Sequence, residues 1–439
     1  MTHLRLNSDL VVGGKNRGSS AVALVKADDK ASAGWAAYLL ALTILLLPTY
    51  TVRFELFGLP VNLLMLWTLL IWTVFAVELG VKKQFRGFFA SIKSINIPLL
   101  ILSGMFFLSG LVGLFWQNFS QAKLGQFVVL FVEPLSLFFI ANFIWQNNPS
   151  AKKSMLYAVY CILAALGVFA AIQYFTLFGL PAQYWGNAVE PKRALSFFSH
   201  PNFYALFSAP LLAFLLADLG LKIKDLRKNW FFFAAWIIGG LGLLLSFSRA
   251  GWLGLGVAGL VYVLFAAEKK IRKLALAIFV IMVVVIVSVP NLRWRFILPF
   301  YGEKSAVSRL SLWHTGVKGI AESPVFGLGL TGFAQNWDRL NTDPNLDRHN
   351  FPHNLALDLW VETGILGLIA MVGLISFALY KGLVDKNNLF KLSVALFMVT
   401  LLTQGLIDNP YFKNDLAMVF WLIFSLGLWG PMGEPAVPD

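Results

Sequence analysis

The chain has 439 residues, 58% of them hydrophobic and 13% charged, whereas an ordinary soluble domain is about 45–50% apolar, glycine included, and about 25% charged. With a mean hydropathy of +0.72, this excludes a soluble enzyme and a disordered tail protein, and the single cysteine, Cys161, excludes a disulfide scaffold and a thiolate zinc site. The net charge of +13 must be placed relative to a membrane before it is read as a footprint for nucleic acid.

The first 33 residues are polar and mixed, with no apolar core ahead of a small-residue cleavage site, and read as a disordered cytoplasmic tail rather than a signal peptide. Runs of about 20 apolar residues, the length a helix needs to cross about 30 Å, then follow. Twelve are counted, near 34–51, 56–77, 97–116, 124–145, 155–178, 202–217, 230–247, 250–267, 272–289, 356–379, 392–407 and 416–430. Their apolar content does not alternate, which predicts helices and not a β-barrel. The expected fold is an all-α polytopic membrane protein: one domain over 34–430, one long external, periplasmic-side loop at 290–352 carrying short interfacial helices, and a second cytoplasmic tail at 431–439. With the amino terminus inside, 22 of the 35 basic residues fall in inner segments, six in short outer loops and seven in 290–352. That bias is the positive-inside signal. It accounts for most of the charge and removes the nucleic-acid reading.

Costly polar residues then appear in chain order. Glu55 lies in the first outer loop. Glu133, before Pro134, falls near the middle of the fourth span, where its choice between a packing hydrogen bond and a cavity role stays open. Arg193 lies in the outer loop PKRALSFFSHPN. Arg249, in LLLSFSRAGWLGLG, sits between two spans with almost no loop to relax into. It either snorkels to the headgroups or receives an anion, since a guanidinium binds two phosphate oxygens at once and stays charged. In 290–352, SRLSLWHTGVKGI places Leu310, Trp313, Val317 and Ile320 at helical spacing and predicts an amphipathic helix beginning at Arg309. Pro324, Gly327 and Gly329 mark turns. His353 opens the tenth span in FPHN, with the type of side chain that accepts protons near neutral pH. His349 lies four residues earlier, but Pro352 argues against one helix carrying both as a zinc pair, and no further soft ligand is near. Asp358 and Glu362 lie one to two turns into the same span; Glu362 is expected to orient an arginine.

Taken together these residues resemble the O-antigen ligase and polymerase superfamily of membrane glycosyltransferases. The strongest stretch is HNLALDLWVETGILGL, in which His353-Asn354 is followed after nine residues by Gly364 and then Gly367. RALSFFSHPNFYA (193–205), LLLSFSRAGWLGL (243–255) and SRLSLWHTGVKGIAESPVFGLGLTGF (308–333) support it. The family's glycines are often followed by Thr-Val; here Leu368-Ile369 follow.

The resemblance implies transfer of a glycan from undecaprenyl diphosphate to an acceptor hydroxyl, with inversion, on the outer face of the bacterial inner membrane. It implies His353 as general base, Arg249 and Arg309 as diphosphate-binding residues with Arg193 in support, and Asn354, Glu362, Gly364 and Gly367 as supporting positions. Glu55 is the alternative base, because some other membrane glycosyltransferases place a carboxylate in that loop. The acceptor is left open among lipid A core, a growing glycan and a protein, which separates ligase, polymerase and protein O-oligosaccharyltransferase. No cofactor or metal is expected: two arginines can replace a divalent cation, and Asp343 and Asp347 are spaced too widely for an Asp-x-Asp motif. A secondary transporter is the competing class, since twelve helices suit it, but transporters tend to carry paired halves with broken helices and a midplane site.

Overall fold

The computed structural model describes residues 34–428 apart from 57–58, 188–189, 345 and much of 270–303. The two tails expected at 1–33 and 431–439, and much of the run expected at 272–289, lie outside the described residues.

Helices dominate what is described. The first is α1 (Trp35–Leu46), followed by an antiparallel hairpin, β1 (Arg53–Leu56) and β2 (Leu59–Asn62), with Arg53 opposite Asn62. Asn62 then caps α2 (Leu63–Val81) by accepting the Met65 N–H at 3.0 Å. Next come α3 (Phe85–Lys93), α4 (Ile97–Phe115), α5 (Gln121–Phe127), α6 (Glu133–Asn147), α7 (Ser150–Thr176), α8 (Pro201–Phe214), α9 (Leu216–Lys222), α10 (Leu226–Leu245) and α11 (Arg249–Phe265). Beyond residue 303 lie α12 (Lys304–Glu322), α13 (Gly332–Gln335), α14 (Trp337–Leu340), α15 (Leu355–Val384), α16 (Leu389–Gly405) and α17 (Asn414–Leu426).

Among the described residues, six helical stretches are long and apolar enough to cross a membrane: 63–81, 97–115, 121–147, 150–176, 216–245 and 355–384. Shorter apolar helices occupy 35–51, 249–265, 389–405 and 414–426. Twelve spans are expected from hydropathy; six of those runs reach this length, four are the shorter helices, one is α8, and much of one, 272–289, lies outside the described residues. Pro48 turns the first run into a 3-10 segment at Leu47–Thr51, and Pro210 lies within α8, which ends at Phe214. Apolar side chains stand exposed along several helices, such as Leu69, Val77, Ile101, Leu108, Leu241, Leu253 and Leu260. An exterior of this kind needs an apolar solvent, and the chain is a multi-pass membrane protein.

The core centres on α17, whose Trp421, Phe420 and Phe424 meet Phe106, Phe138 and Tyr411 edge-on or tilted. Close helix pairs rely on missing side chains. A Cβ on Gly167 of α7 would lie 2.2 Å from the Ile238 carbonyl of α10. Between α5 and α6, residues 128–132 widen to a π turn, as expected where Pro134 supplies no N–H to the helical ladder. Glu133 follows it, buried, with Oε2 unpartnered among the described residues.

The α15 helix is interrupted. Gly364 sits at φ +68°, ψ −174°, a conformation only glycine adopts readily. The break exposes backbone groups that the 324–333 loop takes up: Leu328 N–H donates to Val361 O at 2.6 Å and Ile365 N–H to Val325 O at 3.0 Å. A Cβ on Gly364 would lie 2.3 Å from Val325 O, and one on Gly327 (φ +67°) 2.4 Å from Val361 O. The glycines at 327 and 364 are two halves of one joint. At Gly367, a Cβ would lie 2.8 Å from Ser109 Oγ on α4, which holds the two helices close.

Candidate active site

His353 is the last residue before the cap of α15. Asn354 accepts the N–H groups of Ala356 and Leu357, both at 3.1 Å, and donates from Nδ2 to Leu406 O at 2.9 Å. One side chain thus starts the helix and ties it to the loop joining α16 and α17. His353 itself adopts φ +53°, a left-handed conformation that costs a non-glycine residue on the order of 1–3 kcal/mol. Trp313 Nε1 donates to its carbonyl at 3.4 Å.

The 406–413 loop supplies a partner for the imidazole that the sequence analysis missed. Asp408 Oδ1 lies 2.8 Å from His353 Nδ1, with the aspartate side chain 3% exposed and the histidine 26%. Asp408 also accepts the Asn409 N–H at 2.9 Å, while Asn409 Oδ1 accepts the N–H groups of Tyr411 and Phe412 at 3.1 Å each. Burial pushes the Asp408 carboxyl up, but the His353 hydrogen bond, the His353 charge, Arg309 and the Asn409 N–H outweigh it and hold the group below its ordinary value. An ionised Asp408 accepts a hydrogen bond from the His353 Nδ1–H, which leaves the lone pair on Nε2.

Arg309, in the second turn of α12, donates from Nε to Ile407 O at 2.7 Å and from Nη1 to Ser305 O at 3.1 Å. This places its guanidinium one residue from the Asp408 carboxylate. The predicted amphipathic helix is present, but its buried face is Leu312, Thr315, Gly316, Gly319 and Ile320. Of the predicted stripe, Leu310 and Val317 are exposed and Trp313 turns to His353. The inward side chains pack with Leu328, Phe333, Trp337, Leu340 and Val361.

Arg193 donates from Nε to Ser246 O at 3.0 Å and from Nη2 to Asn202 Oδ1 at 2.6 Å, and Ala194 N–H bonds Leu245 O at 2.9 Å. The 193–202 loop is thereby pinned to the end of α10, three residues before Arg249, the partly buried first residue of α11. His200, also unassigned from the sequence, caps α8 within the same loop. Lys413 lies 2.6 Å from the Tyr50 hydroxyl and 3.3 Å from the Phe203 ring centre. Burial draws its ammonium down to about 8, against Asp415 and Asp408, which act to raise it. The segments holding Arg193, Arg309, His353 and Asp408 therefore meet at one end of the bundle.

Glu362 corrects an expectation. Its carboxylate accepts the N–H groups of Thr331 and Phe333 and the Gln126 amide, so its hydrogen bonds anchor the 324–333 loop and go to no arginine. Glu362, Gly364 and Gly367 serve the joint in α15 and stand apart from His353. Asp358 is fully buried, and neither of its oxygens meets hydrogen-bond geometry among the described residues. Glu55 lies on the exposed hairpin opposite Pro60. The rings of His349 and His353 are 5.5 Å apart, and no group of three metal-ligating side chains occurs among the described residues.

The missed residues had weak sequence signals. Asp408 lies 55 positions from His353 in a short IDNP turn; a search for an outer carboxylate able to orient the histidine would have reached it. His200 was visible inside SHPN, where a histidine before proline at a helix start has capping capacity.

Residues 233–372 match the O-antigen ligase family. An "Uncharacterized protein" of Haemophilus influenzae is 26% identical over 275 residues, covering 58% of this chain and 66% of that one. A Rickettsia conorii protein named "Putative polysaccharide ligase" is 28% identical over 207 residues, 43% of this chain and 46% of that one. The chain thus spans less than two thirds of either relative. The matched segment contains Arg249, Arg309, His353, Glu362, Gly364 and Gly367, whereas Arg193 and His200 precede it and Asp408 follows it. The resemblance carried by His353-Asn354, Gly364 and Gly367 therefore agrees with the comparison, which places these residues in a segment similar to the O-antigen ligase family.

Proposed function

We propose that the protein transfers a glycan from undecaprenyl diphosphate to an acceptor hydroxyl at the outer face of the bacterial inner membrane, without a metal. The observation that carries this reading is the His353–Asp408 pair, partly open on the histidine side, with Arg309 bonded to the same loop. In the reaction the acceptor hydroxyl gives its proton to His353 Nε2 while its oxygen bonds to the anomeric carbon. The bond from that carbon to the diphosphate breaks, and its electron pair passes to the diphosphate oxygen. Attack opposite the leaving group inverts the centre.

Asp408 keeps the imidazole in the accepting tautomer and balances the imidazolium formed, a role a buried carboxylate performs for other histidine bases. Arg309 and Arg249 hold the diphosphate and stabilise the charge that grows on the leaving oxygen, with Arg193 supporting. The positive-inside bias supports an outer location for the loops that carry these residues.

Purified protein is to be incubated in EDTA with a radiolabelled glycan on undecaprenyl diphosphate and a panel of lipid A core, glycan and protein acceptors. Label reaching one acceptor with wild type and not with His353→Ala supports the reading, and the acceptor used identifies ligase, polymerase or protein-glycosylating chemistry. Transfer that appears only on adding magnesium contradicts the arginine mechanism.

A further inference from the structure

A second histidine belongs to this end of the bundle, in the opposite protonation geometry. His200 Nδ1 accepts the backbone N–H of Asn202 at 3.0 Å, capping α8. That bond requires a lone pair on Nδ1, so the ring proton is on Nε2. Tyr184 and Phe203 meet the ring edge-on and tilted, both at 5.6 Å between centres. No described residue takes up Nε2, which is absent from the buried unpartnered atoms. His353 is the mirror case: its Nδ1 donates to Asp408, leaving Nε2 to accept.

The charges around His200 hold this state. Burial comes first and Arg193 second in pulling it down, to about 4; His353 and Lys413 add to this, and Asp408 alone opposes them. A second imidazolium here would also weaken His353 as a base.

We propose that His200 donates its Nε2–H to an uncharged oxygen, a hydroxyl or ring oxygen, of the glycan being transferred. A phosphate partner is disfavoured because an anion on Nε2 selects the imidazolium, which the Asn202 N–H on Nδ1 forbids. Arginines suit the diphosphate, and a neutral donor suits the sugar. The proposal rests on the transferase reading above.

Two measurements test it. Nitrogen-15 spectra of histidine-labelled full-length protein, assigned by loss of the signal in His200→Asn, are to be followed from pH 8 to pH 5. A neutral ring protonated on Nε2 throughout is expected; an imidazolium at pH 5, or a proton on Nδ1, overturns the proposal. The second is the transfer assay with His200→Ser, which keeps a capping oxygen but loses the long donor, and His200→Asn, which keeps a capping oxygen and an N–H. His200→Ser is expected to lower kcat/KM for the glycan donor by about five- to tenfold, with an unchanged melting temperature and unchanged pH profile, and His200→Asn to recover part of it. A His200→Ser enzyme as active as a transferring wild type overturns the role of His200 and leaves the transferase reading intact. A wild type that transfers to no acceptor, with or without magnesium, overturns the transferase reading and the proposal with it.

Discussion

Asp408 Oδ1 stands 2.8 Å from His353 Nδ1, across two segments 55 residues apart in the chain. The contact divides the imidazole into a held nitrogen and an open one. Replacing Asp408 with asparagine keeps the shape but removes the charge and allows the other tautomer. Asp408→Asn is expected to slow transfer by about 10²–10⁴-fold with little change in membrane insertion, read from initial rates and from yield in the membrane fraction. A rate within about threefold of wild type would remove Asp408 from the mechanism.

The same pair sets a pH dependence of stability. The folded Asp408 pKa lies below its ordinary value, so the unfolded chain binds this proton more readily. The contribution is fully present above the ordinary carboxylate pKa of about 3.9 and is lost as pH falls through the lower folded value. Melting curves of wild type and Asp408→Asn in nanodiscs should therefore differ most near neutrality and converge toward pH 3. Curves that diverge further in acid would contradict the assignment.

Arg309 uses Nε for Ile407 O and Nη1 for Ser305, which a single ammonium cannot copy. Arg309→Lys is expected to lose at least about tenfold in kcat/KM, and Arg309→Ala and Arg249→Ala to abolish transfer. Arg249→Lys should fail likewise if the planar fork grips the diphosphate. Full activity in these variants would sink the site assignment.

The joint in α15 predicts a different phenotype. Gly364→Ala forces a Cβ toward Val325 O at a backbone angle that suits glycine, and Gly327→Ala does the same from the facing loop. Each should lower stability by about 1–3 kcal/mol, seen as a lower melting temperature. Glu362→Ala releases the Thr331 and Phe333 N–H groups and should speed hydrogen exchange across 328–335 before it affects global melting. Unchanged exchange there would show that the carboxylate does not hold the loop.

These outcomes also mark where the sequence was readable. Apolar runs announced the helices because burial in lipid demands them, but Pro48 ends the first regular helix early by turning Leu47–Thr51 into a 3-10 segment. His353, Arg309 and the glycines stood out because each is costly or permissive where it sits. Asp408 and His200 did not, since their meaning comes from partners reached only through tertiary folding. Gly364 was legible as a motif glycine, yet the break it creates and the fit of Gly327 into that break are properties of the packed chain. Glu362 was singled out correctly as an expensive buried acid and given the wrong partner, because backbone N–H donors leave no trace in side-chain patterns.

The most direct test compares wild type, His353→Ala and Asp408→Asn in EDTA, following label from undecaprenyl-diphosphate-linked glycan to an acceptor. The account predicts metal-free transfer by wild type, none by His353→Ala, and a rate lowered by about 10²–10⁴-fold in Asp408→Asn. Equal rates in all three proteins, or transfer that requires magnesium, would contradict it.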